Sequence, residues 1–130
     1  MEWIEQHEKL LSERAVIYLN LDMTVQGNSY MKVHSTPLVK DAIKDFSKTV
    51  HDPGAHDNKQ TIFDIAAEND PSLPETDPPE PAFGDLGSGS DYAAFYQFVG
   101  VSSVDFRYTR QRSPNNSITY PLYQIGRAHV

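Results

Sequence analysis

Asp22 is the residue whose type and setting most invite chemistry. It closes the run Leu19-Asn20-Leu21-Asp22, directly after the nearly unbroken apolar stretch Ala15-Val16-Ile17-Tyr18-Leu19. Such a run, with β-branched and aromatic members, predicts a strand covered on both faces and central in its sheet. A carboxylate just past the C-terminal end of a strand stands where open α/β sheets build their sites. Its hard oxygens suit a metal ion. The ordinary alternative is an aspartate that caps a turn. Two other groups compete with it. His51, Asp52, His56 and Asp57 combine imidazole and carboxylate, the usual zinc donors, but they surround Pro53-Gly54 and read as a solvated polar loop, with no role assigned. Gly87-Ser88-Gly89-Ser90 can aim backbone N–H groups at an anion from the start of a helix. It lacks the lysine of a phosphate-binding loop and the spacing of a dinucleotide fingerprint or a serine elbow, so a tight turn into a helix accounts for it equally well.

The elements that must hold these residues follow from periodicity. Trp3, Ile4, Leu10 and Leu11 form one apolar stripe, predicting an amphipathic helix over 2–13. Tyr30 to His34 alternates as a second strand, and Thr36-Pro37 then reads as an N-cap with proline at the first helical position. Val39, Ala42, Ile43, Phe46 and Val50 keep helical spacing, so a helix from Leu38 should pack on the sheet until His51-Asp52-Pro53-Gly54 ends it. A short helix is expected over 61–68. The proline-rich, acidic stretch 69–85 predicts an exposed loop. Ser90 is the expected N-cap of a helix whose apolar side is Ala94, Phe95, Phe98 and Val99 and whose stop is Gly100. Val101 to Tyr108 is the next strand. Strands alternating with helices imply an α/β class: a three-layer sandwich with a mostly parallel sheet.

Composition narrows the partners. The chain has 130 residues, with 11 Lys and Arg against 18 Asp and Glu; its formal charge of −7 repels phosphate backbones and argues against a nucleic-acid partner. With no cysteine there is no disulfide framework to place it in an oxidising compartment. The first residues are acidic where a signal peptide is basic, so any anchor is expected outside this chain.

Taken together, Glu2-Trp3, Tyr18-Leu19-Asn20-Leu21-Asp22, Thr36-Pro37-Leu38, Leu86-Gly87-Ser88-Gly89-Ser90-Asp91-Tyr92 and Tyr120-Pro121-Leu122-Tyr123 resemble, in order and spacing, the glutamate carboxypeptidase II and N-acetylated-alpha-linked acidic dipeptidase family of the transferrin receptor-like superfamily. The resemblance runs from Glu2 to Tyr123 and covers the middle of that family's catalytic domain. It implies a partial zinc-exopeptidase fold over 1–123. The full-length parent would be a peptidase that holds two zinc ions and uses a metal-activated water to cleave a peptide substrate. By position Asp22 matches a zinc ligand. The general base and the other upstream ligands are expected before Met1, which implies that this stretch alone is inactive. Glu2 and Glu5 match a pair of calcium ligands, oxygen donors being what calcium takes; an acidic first helical turn is the plainer account. Ser88, Gly89 and Ser90 match the segment lining the substrate cleft, where the acidic dipeptidases have asparagine in place of Ser90.

Asp105 stands where those enzymes have an arginine that recognises an acidic residue, while Arg107 retains a second one. A carboxylate there favours a cationic group such as a free substrate amine, pointing to aminopeptidase-like or broader dipeptidase use. Tyr123 matches a cleft tyrosine that hydrogen-bonds the oxyanion. The family's zinc histidine should follow it, but Gln124 does, and residues 124–130 read as translated sequencing adapter; His129 is therefore not assigned to a metal. The family further implies a homodimer on the outer face of the plasma membrane, held by a type II anchor, and Asn115-Asn116-Ser117 is a glycosylation sequon in keeping with that. The rival reading is a non-catalytic, receptor-like relative that binds protein partners.

Overall fold

The computed structural model describes residues 2–27, 29–55, 60–70, 72, 74 and 76–109. The chain opens with two short helices, α1 (Glu2–Gln6) and α2 (Glu8–Arg14), where one helix is predicted. The break is at His7, whose ring stacks on Trp3 at 4.5 Å and whose Nδ1–H donates to the Trp3 carbonyl at 2.8 Å, competing locally with helical bonding. Of the predicted stripe only Ile4 is buried; Trp3 and Leu10 are exposed.

Strands β1 (Ile17–Asn20), β2 (Tyr30–Ser35), β3 (Phe83–Gly84) and β4 (Ser102–Thr109) form one sheet in the order β1-β4-β2-β3. The sheet is mixed rather than mostly parallel. β1 runs parallel to β4 and β3 parallel to β2, but the central β2·β4 ladder is antiparallel from Tyr30↔Thr109 to Ser35↔Val104. Val104, Ser103, Ser35 and Val33 are at most 3% exposed, so the sheet's centre carries the core. The predicted central place of β1 is corrected too: among the described residues it is an edge strand, with Val16, Leu19 and Leu21 more than half exposed. Apolar character specifies that a strand be covered; it does not specify by what.

After β2, a 3-10 turn (Pro37–Val39) leads into α3 (Lys40–Ser47), shorter than predicted. Thr36 precedes the turn, but its hydroxyl does not cap it; Oγ1 accepts from the Ser103 N–H at 3.2 Å. α3 leaves Phe46 exposed and buries only Ser47. The helix that lies against β2 is α4 (Ile62–Asn69), through its buried Phe63, Ala66 and Ala67. Its start is a full capping box, Thr61 and Asp64 exchanging side-chain and backbone hydrogen bonds. The Pro-rich crossing carries β3 as its one strand among the described residues, and the Lys44–Glu80 pair at 2.6 Å ties it to α3. The segment Ala94–Val99 is a π-helix, ended by Gly100 at φ 81°, the left-handed stop that glycine takes without cost.

Candidate functional site

The π-helix is fastened to the sheet edge by Phe95, which stacks on Tyr18 of β1 at 3.8 Å and an interplanar angle of 10°. Alternation along β1 puts Asn20 on the same face as Tyr18. The Gly87–Asp91 turn preceding the π-helix is thereby brought over the C-terminal end of β1. The chain then turns sharply: the Thr24 hydroxyl donates to the Leu21 carbonyl at 2.6 Å, and Met23 adopts φ 53°, a left-handed conformation uncommon for a residue with a side chain. Asp22 sits at this turn, exposed.

Four side chains meet there in series. Asp105, paired in register with Asn20, lies beside it on β4 and is 9% exposed. The Asn20 amide donates to Asp105 Oδ1 at 2.6 Å and to Ser90 Oγ at 3.2 Å. The Ser90 hydroxyl in turn donates to Asp22 Oδ2 at 2.8 Å. Asn20, 3% exposed, is the buried hinge of the series. Above it opens a cavity of about 510 Å³, lined by Tyr18, Asn20, Leu21, Asp22, Gly89, Ser90 and Asp91. A second cavity, of about 420 Å³, adjoins it through Tyr18, Ser90 and Asp91, and is lined further by Ser88 and Trp3. Burial first, then the negative charges of Asp91 and Asp22, push the Tyr18 phenol above its ordinary range. The site is acidic and suited to a cation.

The other predicted residues are distributed unevenly. Ser88 and Gly89 are exposed on the turn, next to Ser90. Ser90 does not cap the π-helix with its side chain, its hydroxyl being committed to Asp22. Arg107 lies two residues along β4 from Asp105, opposite Lys32 of β2. Glu2 and Glu5 stand exposed on α1. Tyr123 lies outside the described residues, as do His56 and Asp57. His51 is exposed, whereas Asp52 is buried and occupied: Oδ1 accepts from the Gly54 N–H at 2.7 Å and Oδ2 from the Tyr108 hydroxyl at 2.9 Å. Among the described residues no group of three or more His, Asp or Glu side chains is placed to hold a metal. Asp22 offers one carboxylate where a zinc shell needs about four donors, so these residues do not make a metal centre by themselves.

Sequence reasoning passed over Asn20 and His34. Asn20 carried a signal, being a polar residue facing inward two positions before Asp22. His34 sits opposite Asp105 in the antiparallel ladder, its ring edge lying against Gly84, where an added Cβ would clash with the imidazole Cδ2 and Nε2. Burial and the positive charges of Arg107 and Lys32 lower its pKa, against the opposing pull of Asp105 and Asp70.

No family model matches the sequence. Individual relatives do. The mouse aminopeptidase NAALADL1 is 34% identical over 125 residues, which are 96% of this chain and 16% of that protein. A glutamate carboxypeptidase 2 homolog of Caenorhabditis elegans is 30% identical over 94% of the chain and 15% of its own length. Rat transferrin receptor protein 2 is 30% identical over 82% and 12%. This chain belongs to the glutamate carboxypeptidase and transferrin receptor superfamily. As a member of that superfamily it spans about a sixth of the length of the relatives it matches. Among the described residues no helix is long and apolar enough to cross a membrane.

Proposed function

We propose that the chain is the part of a zinc-dependent exopeptidase that presents Asp22 to a metal and lines the substrate cleft with the Ser88–Ser90 turn. The observation that carries this reading is the exposed Asp22 carboxylate, held by Ser90 over an acidic cavity at the C-terminal edge of a parallel strand pair. The names of two relatives, an aminopeptidase and a glutamate carboxypeptidase, support the peptidase class.

In this reading Asp22 is one carboxylate ligand in a centre of two zinc ions, and the remaining ligands and the general base are supplied from outside the chain. Zinc, when bound, brings Lewis acidity toward a peptide carbonyl. The chain's own residues orient that ligand and shape the cleft. Two carboxylates and no cationic side chain line the main cavity among the described residues, which supports substrates that present a free amine over those that present an acidic residue. Arg107 and Tyr123 belong to the same proposed cleft, and Glu2 with Glu5 to a calcium site at the start of α1. The parent would be a membrane-anchored, extracellular homodimer with the three-layer zinc-exopeptidase fold; the sequon at Asn115 supports the compartment.

The test is hydrolysis by the full-length protein, loaded with zinc, of peptides with free and with blocked amino ends. Metal-dependent release of a terminal residue, abolished by Asp22→Asn, is the expected result. A folded, zinc-loaded protein that cleaves neither set overturns the reading. It would favour a receptor-like binding role, which the match to transferrin receptor protein 2 supports.

A further inference from the structure

Asp105 is the one carboxylate of the site that is nine-tenths buried, and it does not line the main cavity. A carboxylate oxygen accepts hydrogen bonds, so the Asn20 side chain turns its NH₂ end toward Asp105 and donates to Oδ1 at 2.6 Å. The second amide hydrogen of Asn20 then points at Ser90 Oγ. With one lone pair of that hydroxyl engaged, its proton is directed onward to Asp22 Oδ2. Asp105 thus keeps the Asn20 oxygen from turning toward Ser90 and competing for its proton, which leaves that proton to the acceptor at the exposed end, Asp22.

We propose that Asp105 is a positioning residue: it sets the polarity of the Asn20–Ser90 relay and so orients the Asp22 carboxylate, rather than touching substrate itself. This deepens the peptidase reading of the same site by replacing the expected contact between Asp105 and a substrate amine with an action through two intervening side chains. An arginine at this position, as the acidic dipeptidases have, is a pure donor and would impose the opposite polarity on Asn20.

The experiment uses the full-length protein. In Asp105→Leu, which keeps the size and removes the acceptor, a crystal structure should show Asn20 reoriented and the Ser90–Asp22 hydrogen bond lost. The kcat should fall about 10- to 100-fold, as when groups supporting a metal ligand are removed. The loss should be equal on free-amine and N-acetylated peptides. Ser90→Ala, at a half-buried turn, should give a similar loss. Because the two act in series, the double variant should be no worse than the poorer single one. Asp105→Asn, which can still present a carbonyl to Asn20, should restore most of the activity. If leucine prevents folding, Asp105→Ala also removes the acceptor and should disorder Asp22 likewise.

The proposal is overturned if Asp22 keeps its bond to Ser90 in Asp105→Leu or Asp105→Ala. It is equally overturned if the effect is a rise in KM confined to free-amine peptides, or if the losses with Ser90→Ala add. The crystallographic readout needs neither zinc nor activity. A wild-type protein that proves inactive therefore overturns the peptidase reading alone, and the position of Asp22 still decides the relay.

Discussion

Two aspartates in this chain each accept a hydrogen bond from a distant hydroxyl, and they are opposite in kind. Asp22 takes Ser90 at 2.8 Å while remaining exposed at the mouth of an acidic cavity. Asp52 takes Tyr108 at 2.9 Å while 6% exposed, and its other oxygen is spent on the Gly54 N–H. The first arrangement holds a carboxylate in place without burying it; the second uses a carboxylate to pin a loop to β4. A donor–acceptor pair thus says little about role until exposure is known, because a carboxylate buried with its oxygens bonded inside the protein is closed to an incoming ligand, whereas an exposed one can be reached. The relay beneath Asp22 makes the same point. A site that must present a charge to solvent is fixed from below, through groups that are themselves buried.

The largest separation between the two should come from substituting each in turn. Asp22→Asn in the full-length enzyme is expected to cost at least about 100-fold in kcat/KM, beyond what supporting residues typically cost. Its melting temperature should stay close to that of the wild type, since the site is exposed. Asp52→Ala should do the reverse. It leaves the Tyr108 hydroxyl and the Gly54 N–H without their partner, at a cost of about 1–3 kcal/mol in denaturant unfolding, and turnover per folded molecule should be unchanged. Equal activity losses in both would erase the distinction.

Much of this contrast was legible in the sequence, but unevenly. The strand before Asp22, the capped helix α4 and the Gly100 stop follow from local patterns, and local patterns are what spacing encodes. The antiparallel β2·β4 ladder was not legible: Tyr30–Ser35 and Ser102–Thr109 alternate in the same way whichever direction they pair. Nor was the edge position of β1, since apolar residues record a need for cover and not its source. The His51–Asp57 group, with metal-donor types close together in the chain, reads as a solvated polar loop with no role. Asp52 is in fact engaged by Tyr108, 56 positions away. The Asn20–Ser90 and Asn20–Asp105 contacts span 70 and 85 positions, and no short motif carries that information.

A smaller effect sharpens the buried side of the comparison. Burial, followed by the hydrogen bond to Asp52 and its negative charge, raises the Tyr108 phenol far above its ordinary pKa of 10.0. The folded state therefore holds this proton more tightly than the unfolded chain does. The resulting stability is fully present below about pH 10 and is lost as pH climbs from there toward the folded value. Unfolding free energy measured by denaturant between pH 8 and 11 should fall, and Tyr108→Phe should flatten that fall. A remnant should persist, because Tyr18 is also raised. A slope unchanged by the substitution would mean that Asp52 and Tyr108 are not coupled.

The smallest expected effect tests the exposed side. Met23, at φ 53°, follows Asp22 directly and bears a conformation that costs a residue with a Cβ roughly 1 kcal/mol. Glycine adopts it freely but gives up about 0.5–1 kcal/mol of unfolded-state entropy. Met23→Gly should therefore change global stability by less than about 1 kcal/mol. If Ser90 alone held Asp22, activity would be unaffected as well. The Leu21–Thr24 turn also aims the carboxylate, so the prediction is a loss of a few-fold in kcat with stability unchanged, about 1 kcal/mol at the transition state. Combining Met23→Gly with Ser90→Ala decides the matter: the turn and the hydroxyl restrain Asp22 independently, so their effects on kcat should multiply, whereas those of Ser90 and Asp105 should not.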